Sequence, residues 1–380
     1  MDHSARWTRR TFLAGSAVAA VGAPMINRGY FSLGAQVSRA YSRRSIDLVR
    51  DAMVIDMLAP LKIDLDPNMH AKPLSEKAAS EFKASGITGF HNAFGLGGPD
   101  AYAQALSYLA AWHGFCGRNP DVFGLVGKVT DLDRAKASGR AAVIMGIQNA
   151  DHFRTPKDVA TFYDLGQRCS QLTYNSQNRI GSGSTDRVDG GISDFGVEIV
   201  KAMNAAGMLV DVSHSGDRTT LDAVALSAVP IAFTHGNCRA LVDHPRNKTD
   251  EAIKALGAKG GVMGITGVRM FVSKTDPTSV RHMVDHIEHV IKLIGVEHVG
   301  IGSDSDLNGY DDMPPDQYAK LKASYKASYA FRDKIDIDGF DHPRKTFDLT
   351  EELIRRRYSN DNIKAILGGN FRRLLASTWK

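Results

Sequence analysis

The sequence has few cysteines, no strongly basic segment and no long apolar run beyond its N-terminus. Its three cysteines, Cys116, Cys169 and Cys238, cannot all pair within one chain, and their spacing matches no zinc or redox motif. We therefore expect them to be small buried apolar side chains. The formal net charge is +5, but no block of lysine and arginine carries it, which argues against nucleic acid as a partner. No later segment has the roughly 20 apolar residues that a transmembrane helix needs.

An export signal is predicted at the N-terminus. Arg9 and Arg10 precede an apolar, alanine-rich run over residues 13–23, and a twin arginine before such a run is typical of export by the Tat pathway. Ala23 and Ala35 are the two candidate cleavage points. We divide the chain into a signal peptide, residues 1–35, and a single domain, residues 36–380, and expect a periplasmic mature protein.

Short apolar segments alternate with helix-like segments through the rest of the chain. Eight such units within about 300 residues predict a (β/α)8 TIM barrel. A helical tail from residue 349, with a turn or break at Gly368 and Gly369, is expected to close the barrel. The predicted strands are residues 53–58, 86–90, 142–147, 171–174, 209–212, 231–234, 261–265 and 298–302.

Two consecutive predicted strands are each followed by a histidine, His214 and His235. The carboxyl ends of the strands in a parallel barrel meet at one face, where ligands bind. Neutral imidazole is the commonest metal ligand, so the pair is a candidate metal or catalytic site. A single histidine at a strand end is more often a satisfied polar residue, and spacing alone leaves both interpretations open.

Three further features bear on a site. Asp304 ends the last predicted strand, where an aspartate can bind a metal, move a proton or cap the next helix. Arg246 is able to hold a substrate carboxylate through a bidentate pair, although surface arginines are commoner. His282, His286 and His289 share one face of a predicted outer helix, and we expect that face to be solvated.

The chain resembles the membrane (renal) dipeptidase family, which are amidohydrolase-type TIM-barrel zinc peptidases. The resemblance runs from about residue 54 to residue 375 and rests on ordered segments. These are residues 191–196 (GISDFG), 207–214 (GMLVDVSH), 234–235 (TH), 239–241 (RAL), 246–247 (RN), 300–306 (GIGSDSD) and 368–371 (GGNF).

The resemblance implies a site with two zinc ions, a short peptide as substrate and attack by metal-activated water on the peptide carbonyl. His214 and His235 match the histidines that bind one zinc. Asp304 matches the aspartate that shuttles the proton, and Arg246 matches the arginine that holds the substrate carboxylate.

Four positions depart from the family pattern. Leu58 and Pro60 stand where a histidine and an aspartate bind the other zinc, and neither side chain can bind a metal. Gln148 stands where a glutamate bridges the two ions, and a neutral amide does not offset their mutual repulsion. Tyr174 replaces the histidine that steadies the oxyanion, and its hydroxyl is still able to donate a hydrogen bond.

Three hypotheses follow from these departures. We favour a hydrolase of short peptides or related amides with one zinc, held by His214, His235 and either Asp304 or Gln148, because two histidines and one carboxylate are a known catalytic pattern. The alternative is a metal-free barrel that keeps the pocket, Arg246 and Tyr174, as a binding or maturation protein or as an enzyme of another reaction class. In the third, Asp56 or Asp151 replaces a lost ligand. A homodimer is compatible with each of them.

Overall fold

The computed structural model describes residues 30–32, 40–61, 69–311 and 313–380. The twin arginine, the apolar run and both candidate cleavage points lie outside the described residues, so export stays a prediction. Within the described ranges, no helix combines the length and the apolar character needed to cross a membrane.

Eight parallel strands close into a barrel, as predicted. Strand β4 pairs with β3 on one side and with β6 on the other, which closes the ring. Two features lie outside the ring: β5 pairs with the start of β6, and β1 and β2 form a separate antiparallel pair. The strands are β1 Tyr30–Ser32, β2 Ala40–Ser42, β3 Ile55–Asp56, β4 Gly89–Phe94, β5 Phe123–Leu125, β6 Ala141–Ile147, β7 Gln167–Gln171, β8 Leu209–Asp211, β9 Ala232–Gly236, β10 Val262–Ile265 and β11 Val299–Ile301.

Helices surround the barrel and close its lower end. They are α1 Arg43–Asp51, α2 Glu76–Ala84, α3 Ala101–Arg118, α4 Val129–Ser138, α5 Pro156–Asp164, α6 Asp194–Ala206, α7 Asp217–Leu226, α8 Asp250–Ala258, α9 Arg269–Val272, α10 Val280–Ile294, α11 Pro315–Ala323, α12 Lys345–Arg355, α13 Asn360–Lys364 and α14 Asn370–Thr378.

Local sequence signals place the strand that leads to His214. The Ser193 side chain caps α6 by accepting from the backbone N–H of Gly196. Gly207 ends the helix with φ 85°, a left-handed conformation that glycine adopts without strain. The buried strand β8 starts two residues later, so its carboxyl end delivers His214 to the upper face of the barrel.

The closing tail plugs the barrel from below. Phe371 is fully buried beside Gly300 of β11, where a Cβ atom would lie 2.5 Å from the Phe371 ring. The predicted break at Gly368 and Gly369 is confirmed, because Gly368 has a non-helical backbone between α13 and α14. A Cβ atom on Gly368 would lie 2.0 Å from the carbonyl oxygen of Met53, so only glycine permits this approach.

Three expectations about individual segments were wrong. The second barrel strand is residues 89–94 rather than 86–90, since Gly86 has a left-handed backbone in the turn before it. The fourth barrel strand is residues 167–171 rather than 171–174, because its sequence QRCSQ lacks the apolar character used to locate strands. His286 is 1% exposed and bonded to the backbone of Cys238 and Val272, so it is a core residue rather than part of a solvated face. All three cysteines are buried and unpaired, as expected.

Candidate functional site

The two histidines meet at the upper face of the barrel. His214 follows β8 and His235 lies within β9, and their Nε2 atoms are 2.9 Å apart. Both side chains are buried, at 2% and 0% exposure. The structure therefore brings together the two residues that the sequence singled out first.

Hydrogen bonds fix the same tautomer on both rings. Nδ1 of His214 lies 2.7 Å from the side-chain oxygen of Asn175, which can only accept, so Nδ1 carries the proton. The Thr234 hydroxyl donates to Asp211 at 2.6 Å and is left to accept from Nδ1 of His235 at 2.9 Å. Both Nε2 atoms are therefore unprotonated, and two lone pairs face each other.

The electrostatic surroundings keep both rings neutral. Burial holds the pKa of both imidazoles well below its usual value, and the positive charge of Arg246 adds to the effect. Two facing lone pairs repel unless a cation lies between them, and these pKa values disfavour a proton. Neutral imidazoles in this arrangement are suited to hold a metal ion.

We expect Asn175→Ala to weaken zinc binding by about 10–100-fold, the usual loss when the partner that orients a ligating histidine is removed. The alanine variant leaves Nδ1 of His214 without the acceptor that selects its tautomer. Zinc affinity measured by competition with a chromophoric chelator checks this. Asn360→Ala, at an exposed site, is the control, and equal affinity in both variants would contradict the role of Asn175.

Two buried cations hold the turn that carries His214. Lys248 donates through Nζ to the carbonyl oxygens of Val212 and Ser215, at 2.6 and 2.9 Å. Arg246 donates to the carbonyl oxygen of Ser213. Burial lowers the pKa of Lys248 to about 7. The turn is thus fixed on both sides of His214, and nothing in the sequence indicated this role for Lys248.

Arg246 keeps free donors although it is only 1% exposed. Its Nε and Nη2 atoms have no hydrogen-bond partner among the described residues. A buried guanidinium with unused donors is costly, and a carboxylate matches its geometry. A buried guanidinium with unused donors therefore lies close enough to the two histidines to lower their pKa.

Asp304 lies in the turn after β11, in a left-handed conformation with φ 53°. Its backbone N–H donates to the carbonyl oxygen of Leu58 at 2.8 Å. Burial raises the pKa of its carboxyl group to about 7, and the negative charge of Asp56 also raises it. A carboxyl group that titrates near neutrality can both accept and return a proton.

Lys345 fixes the turn around Asp304 from below. Its buried Nζ donates to both oxygens of Ser305, at 2.8 and 3.1 Å, to the Ser303 hydroxyl at 3.2 Å and to the carbonyl oxygen of Asp306 at 3.0 Å. Its positive charge opposes the rise that burial causes in the pKa of Asp56. The turn that carries Asp304 is thus anchored by a buried lysine.

A cavity of about 360 Å³ opens above these groups. Tyr174 lies at its floor, with its ring stacked on His214 at 4.2 Å between centroids and its hydroxyl bonded to that of Tyr325 at 2.8 Å. The lining residues are Pro60, Ala93, Phe94, Gly95, Gln148, Tyr174, His214, Val268, Asp304, Tyr310, Met313, Leu321, Ser324, Tyr325, Tyr329, Phe331 and Ile335.

Few metal-binding donors of the described residues surround the histidine pair. Leu58 is fully buried and Pro60 lines the cavity, so the end of β3 adds no ligand there. Gln148 donates through its amide nitrogen to Ala93 at 3.0 Å, which leaves its neutral oxygen as the end able to face a cation. In the described part of the chain, no three histidine, cysteine, aspartate or glutamate side chains come together to hold a metal.

Asp56 and Asp151 are engaged in other hydrogen bonds. Asp56 accepts from the backbone N–H groups of Ser303 and Leu58. Asp151 accepts from the Asn149 side chain at 3.2 Å. Both carboxylates therefore hold loops.

Comparison with known proteins gives the site a family context. The family model described as membrane dipeptidase, peptidase family M19, matches residues 48–321. Dipeptidase verJ of Clonostachys rogersoniana is 33% identical over 268 residues, which cover 70% of this chain and 62% of that protein. Dipeptidase ataJ of Aspergillus terreus is 29% identical over 72% of this chain and 66% of its own. The chain thus spans less than two thirds of both fungal dipeptidases.

Solved structures share the fold. An amidohydrolase from Pseudomonas aeruginosa superposes with a TM-score of 0.78 and 27% identity, covering 88% of this chain and 99% of that one. A metallopeptidase from Rhodobacter sphaeroides, liganded with a phosphinate mimic of L-Ala-D-Ala, gives a TM-score of 0.70 at 18% identity, covering 87% of this chain and 100% of that one. At 18% identity, the second comparison supports the barrel alone.

Proposed function

Because the chain belongs to the membrane dipeptidase family, we propose that it hydrolyses a short peptide or a related amide with the help of one zinc ion. We also propose, from the sequence of the first 35 residues, that it acts in the periplasm after export by the Tat pathway. The substrate enters the cavity that His214, Gln148, Tyr174 and Asp304 line.

One observation carries the proposal: two neutral histidines present bare Nε2 atoms to each other at 2.9 Å. His214 and His235 would hold the metal, and the oxygen of Gln148 is the neighbouring donor along the cavity. When bound, the zinc ion supplies polarisation of the scissile carbonyl and activation of water. A second ion would find Leu58 and Pro60 in place of ligands, which is why we propose one.

The remaining groups bind the substrate and move its proton. Asp304, whose pKa lies near 7, takes the proton of the attacking water and delivers it to the leaving amine. Arg246 binds the terminal carboxylate through its unused Nε and Nη2 donors. Tyr174 stacks on His214, and we assign its hydroxyl group the role of hydrogen-bond donor to the oxyanion.

Metal analysis and a turnover assay test the proposal together. The mature protein, purified without chelator, is expected to contain about one zinc per chain and to hydrolyse dipeptides in a chelator-sensitive way. Two ions per chain would show that a second ligand set exists. Hydrolysis that survives complete removal of metal would contradict the mechanism.

A second candidate function has one observation in its favour. Since the described residues gather only two histidines and no third ionisable ligand, the same cavity is also suited to a metal-free binding or maturation role. In that case the protein takes up no zinc when the ion is in excess, and it binds a dipeptide without cleaving it. Calorimetric titration with a dipeptide, with and without zinc, separates the two functions.

Replacing Arg246 by lysine is expected to raise KM by about 10-fold or more, because an ammonium group cannot form the bidentate pair with a carboxylate. The effect on kcat should be smaller, since the carboxylate is bound in both the ground and the transition state. Steady-state kinetics of the variant check this. A dipeptide amide, which lacks the carboxylate, is the control substrate, and an equal loss for both substrates would contradict the assignment.

A further inference from the structure

The cavity has an aromatic and aliphatic side that the chemistry does not explain. The segment after β11 contributes seven large side chains, which we call the aromatic wall: Tyr310, Met313, Leu321, Tyr325, Tyr329, Phe331 and Ile335. From the barrel, Pro60, Phe94 and Val268 extend the same apolar surface. Apart from the tyrosine hydroxyls, the polar lining residues are Gln148, His214, Asp304 and Ser324, so most of the surface that a ligand meets is apolar.

The rings of the aromatic wall contact one another closely. Tyr329 lies 4.5 Å from Tyr325 and 5.0 Å from Phe331 between ring centroids. The hydroxyl of Tyr325 is already bonded to that of Tyr174. This bond uses one of the two hydroxyl protons and leaves the other free, which is the donor assigned to the oxyanion, so the wall otherwise offers ring surface to a ligand.

Buried polar contacts hold the aromatic wall in place. The carboxylate of Asp336 accepts from the backbone N–H groups of Tyr310 and Asp311, at 2.5 and 2.7 Å. Arg269, 3% exposed, donates to the carbonyl oxygen of Asp336 at 2.7 Å and pairs with Asp338 at 3.0 Å. A wall anchored in this way is preformed, so its shape is able to select a substrate.

Charged side chains find no partner along this surface. Asp304 is the one charged residue among the described residues that line the cavity, and the proposed mechanism uses it. Because Arg246 is assigned to the terminal carboxylate, a charged side chain on the substrate would lose its water without gaining an ion pair. The lining thus disfavours acidic and basic side chains as well as very small ones that leave the wall uncovered.

We infer that the substrate carries at least one bulky apolar or aromatic side chain and that Leu321 and Phe331 help to select it. This inference rests on the proposed function, because it assigns the substrate class of the same site. Because a preformed apolar pocket buries an aromatic side chain, we expect kcat/KM for a substrate with such a side chain to exceed that for the alanine substrate by about 10-fold or more.

The test compares dipeptides on the zinc-loaded protein: Ala-Ala, Phe-Ala, Ala-Phe and Glu-Ala. We expect Phe-Ala or Ala-Phe to exceed Ala-Ala by about 10-fold or more in kcat/KM, and Glu-Ala to be the poorest. Leu321→Ala should reduce the preference for phenylalanine, whereas Leu226→Ala, on an exposed leucine of α7, should not. Leu321→Trp, which fills space in the cavity, should impair the large substrates more than Ala-Ala.

Failure of this inference is distinguishable from failure of the proposed function. Equal kcat/KM for Ala-Ala and both phenylalanine dipeptides would overturn the inference and leave the hydrolase intact. If no dipeptide is cleaved, the proposed hydrolase activity is contradicted. The inferred side-chain preference is then tested separately, by calorimetry with phosphinate analogues of Ala-Ala and Phe-Ala. A Phe-Ala analogue that binds about 10-fold more tightly supports it, and equal binding overturns it.

Discussion

Replacing His235 by alanine is expected to remove zinc from the protein and to lower kcat/KM strongly. The loss should far exceed the roughly 10–100-fold that follows when a residue hydrogen-bonded to a metal ligand is removed. The variant leaves a single imidazole, His214, and the remaining donors along the cavity are the neutral Gln148 and the carboxyl group of Asp304, whose pKa is raised to about 7. With one of the two histidines lost, too few strong ligands remain to hold a catalytic zinc ion. Zinc per chain by mass spectrometry and dipeptide turnover measure both effects.

Two controls make the result specific. His113→Ala removes an exposed histidine far along the chain from both ligands and should keep both metal and activity. His235→Gln keeps more of the side-chain volume, so it separates loss of the ligand from a packing defect in β9. Full zinc content in both His214→Ala and His235→Ala would place the metal elsewhere and would contradict the site.

The sequence predicted the histidine pair because strand ends of a parallel barrel converge, and this needs only the strands and their order. It did not predict the tautomers. Asn175 is separated from His214 by 39 residues and reaches it through a left-handed turn with φ 59°. Thr234 and Asp211 act through hydroxyl and carboxylate hydrogen bonds that no spacing reveals. Arrangements of this kind depend on tertiary contacts.

For the fold, as for the site, the sequence predicted the arrangement of the elements but not every local detail. Eight β/α units were recognised because apolar strands buried on both faces are distinct from amphipathic helices. Where a strand is polar, as β7 is, its position was missed by several residues. His286 was misjudged for the related reason that an outer helix buries one face against its neighbours, and periodicity alone did not show which face.

Asp304→Asn is expected to lower kcat by about 10²–10⁴-fold, the usual contribution of a positioned acid–base group. Zinc content should be unchanged if the two histidines hold the ion. Asparagine also tolerates the left-handed backbone at this position, where φ is 53°. Loss of turnover with retained metal would therefore report proton transfer rather than a collapsed site.

The same variant is expected to be more stable than the wild type at high pH. In the metal-free protein the pKa of Asp304 is raised from 3.8 to about 7, so the folded state binds more protons than the unfolded state between these values. The contribution of Asp304 to stability therefore falls as pH rises from about 4 to 7. Above pH 7 the buried, ionised carboxylate costs on the order of a few kcal/mol, as expected for a pKa shift of this size.

Urea unfolding of the metal-free proteins at pH 5 and pH 8 measures this difference. Asparagine cannot ionise, so the advantage of Asp304→Asn over the wild type should grow from pH 5 to pH 8. Asp341→Asn, at an exposed site, should show no such growth. An Asp304→Asn variant that loses turnover yet gains no stability at pH 8 would mean that the carboxylate is already compensated in the folded protein. This result would contradict the role of Asp304 in proton transfer near neutral pH, because its carboxylate would stay ionised throughout the reaction.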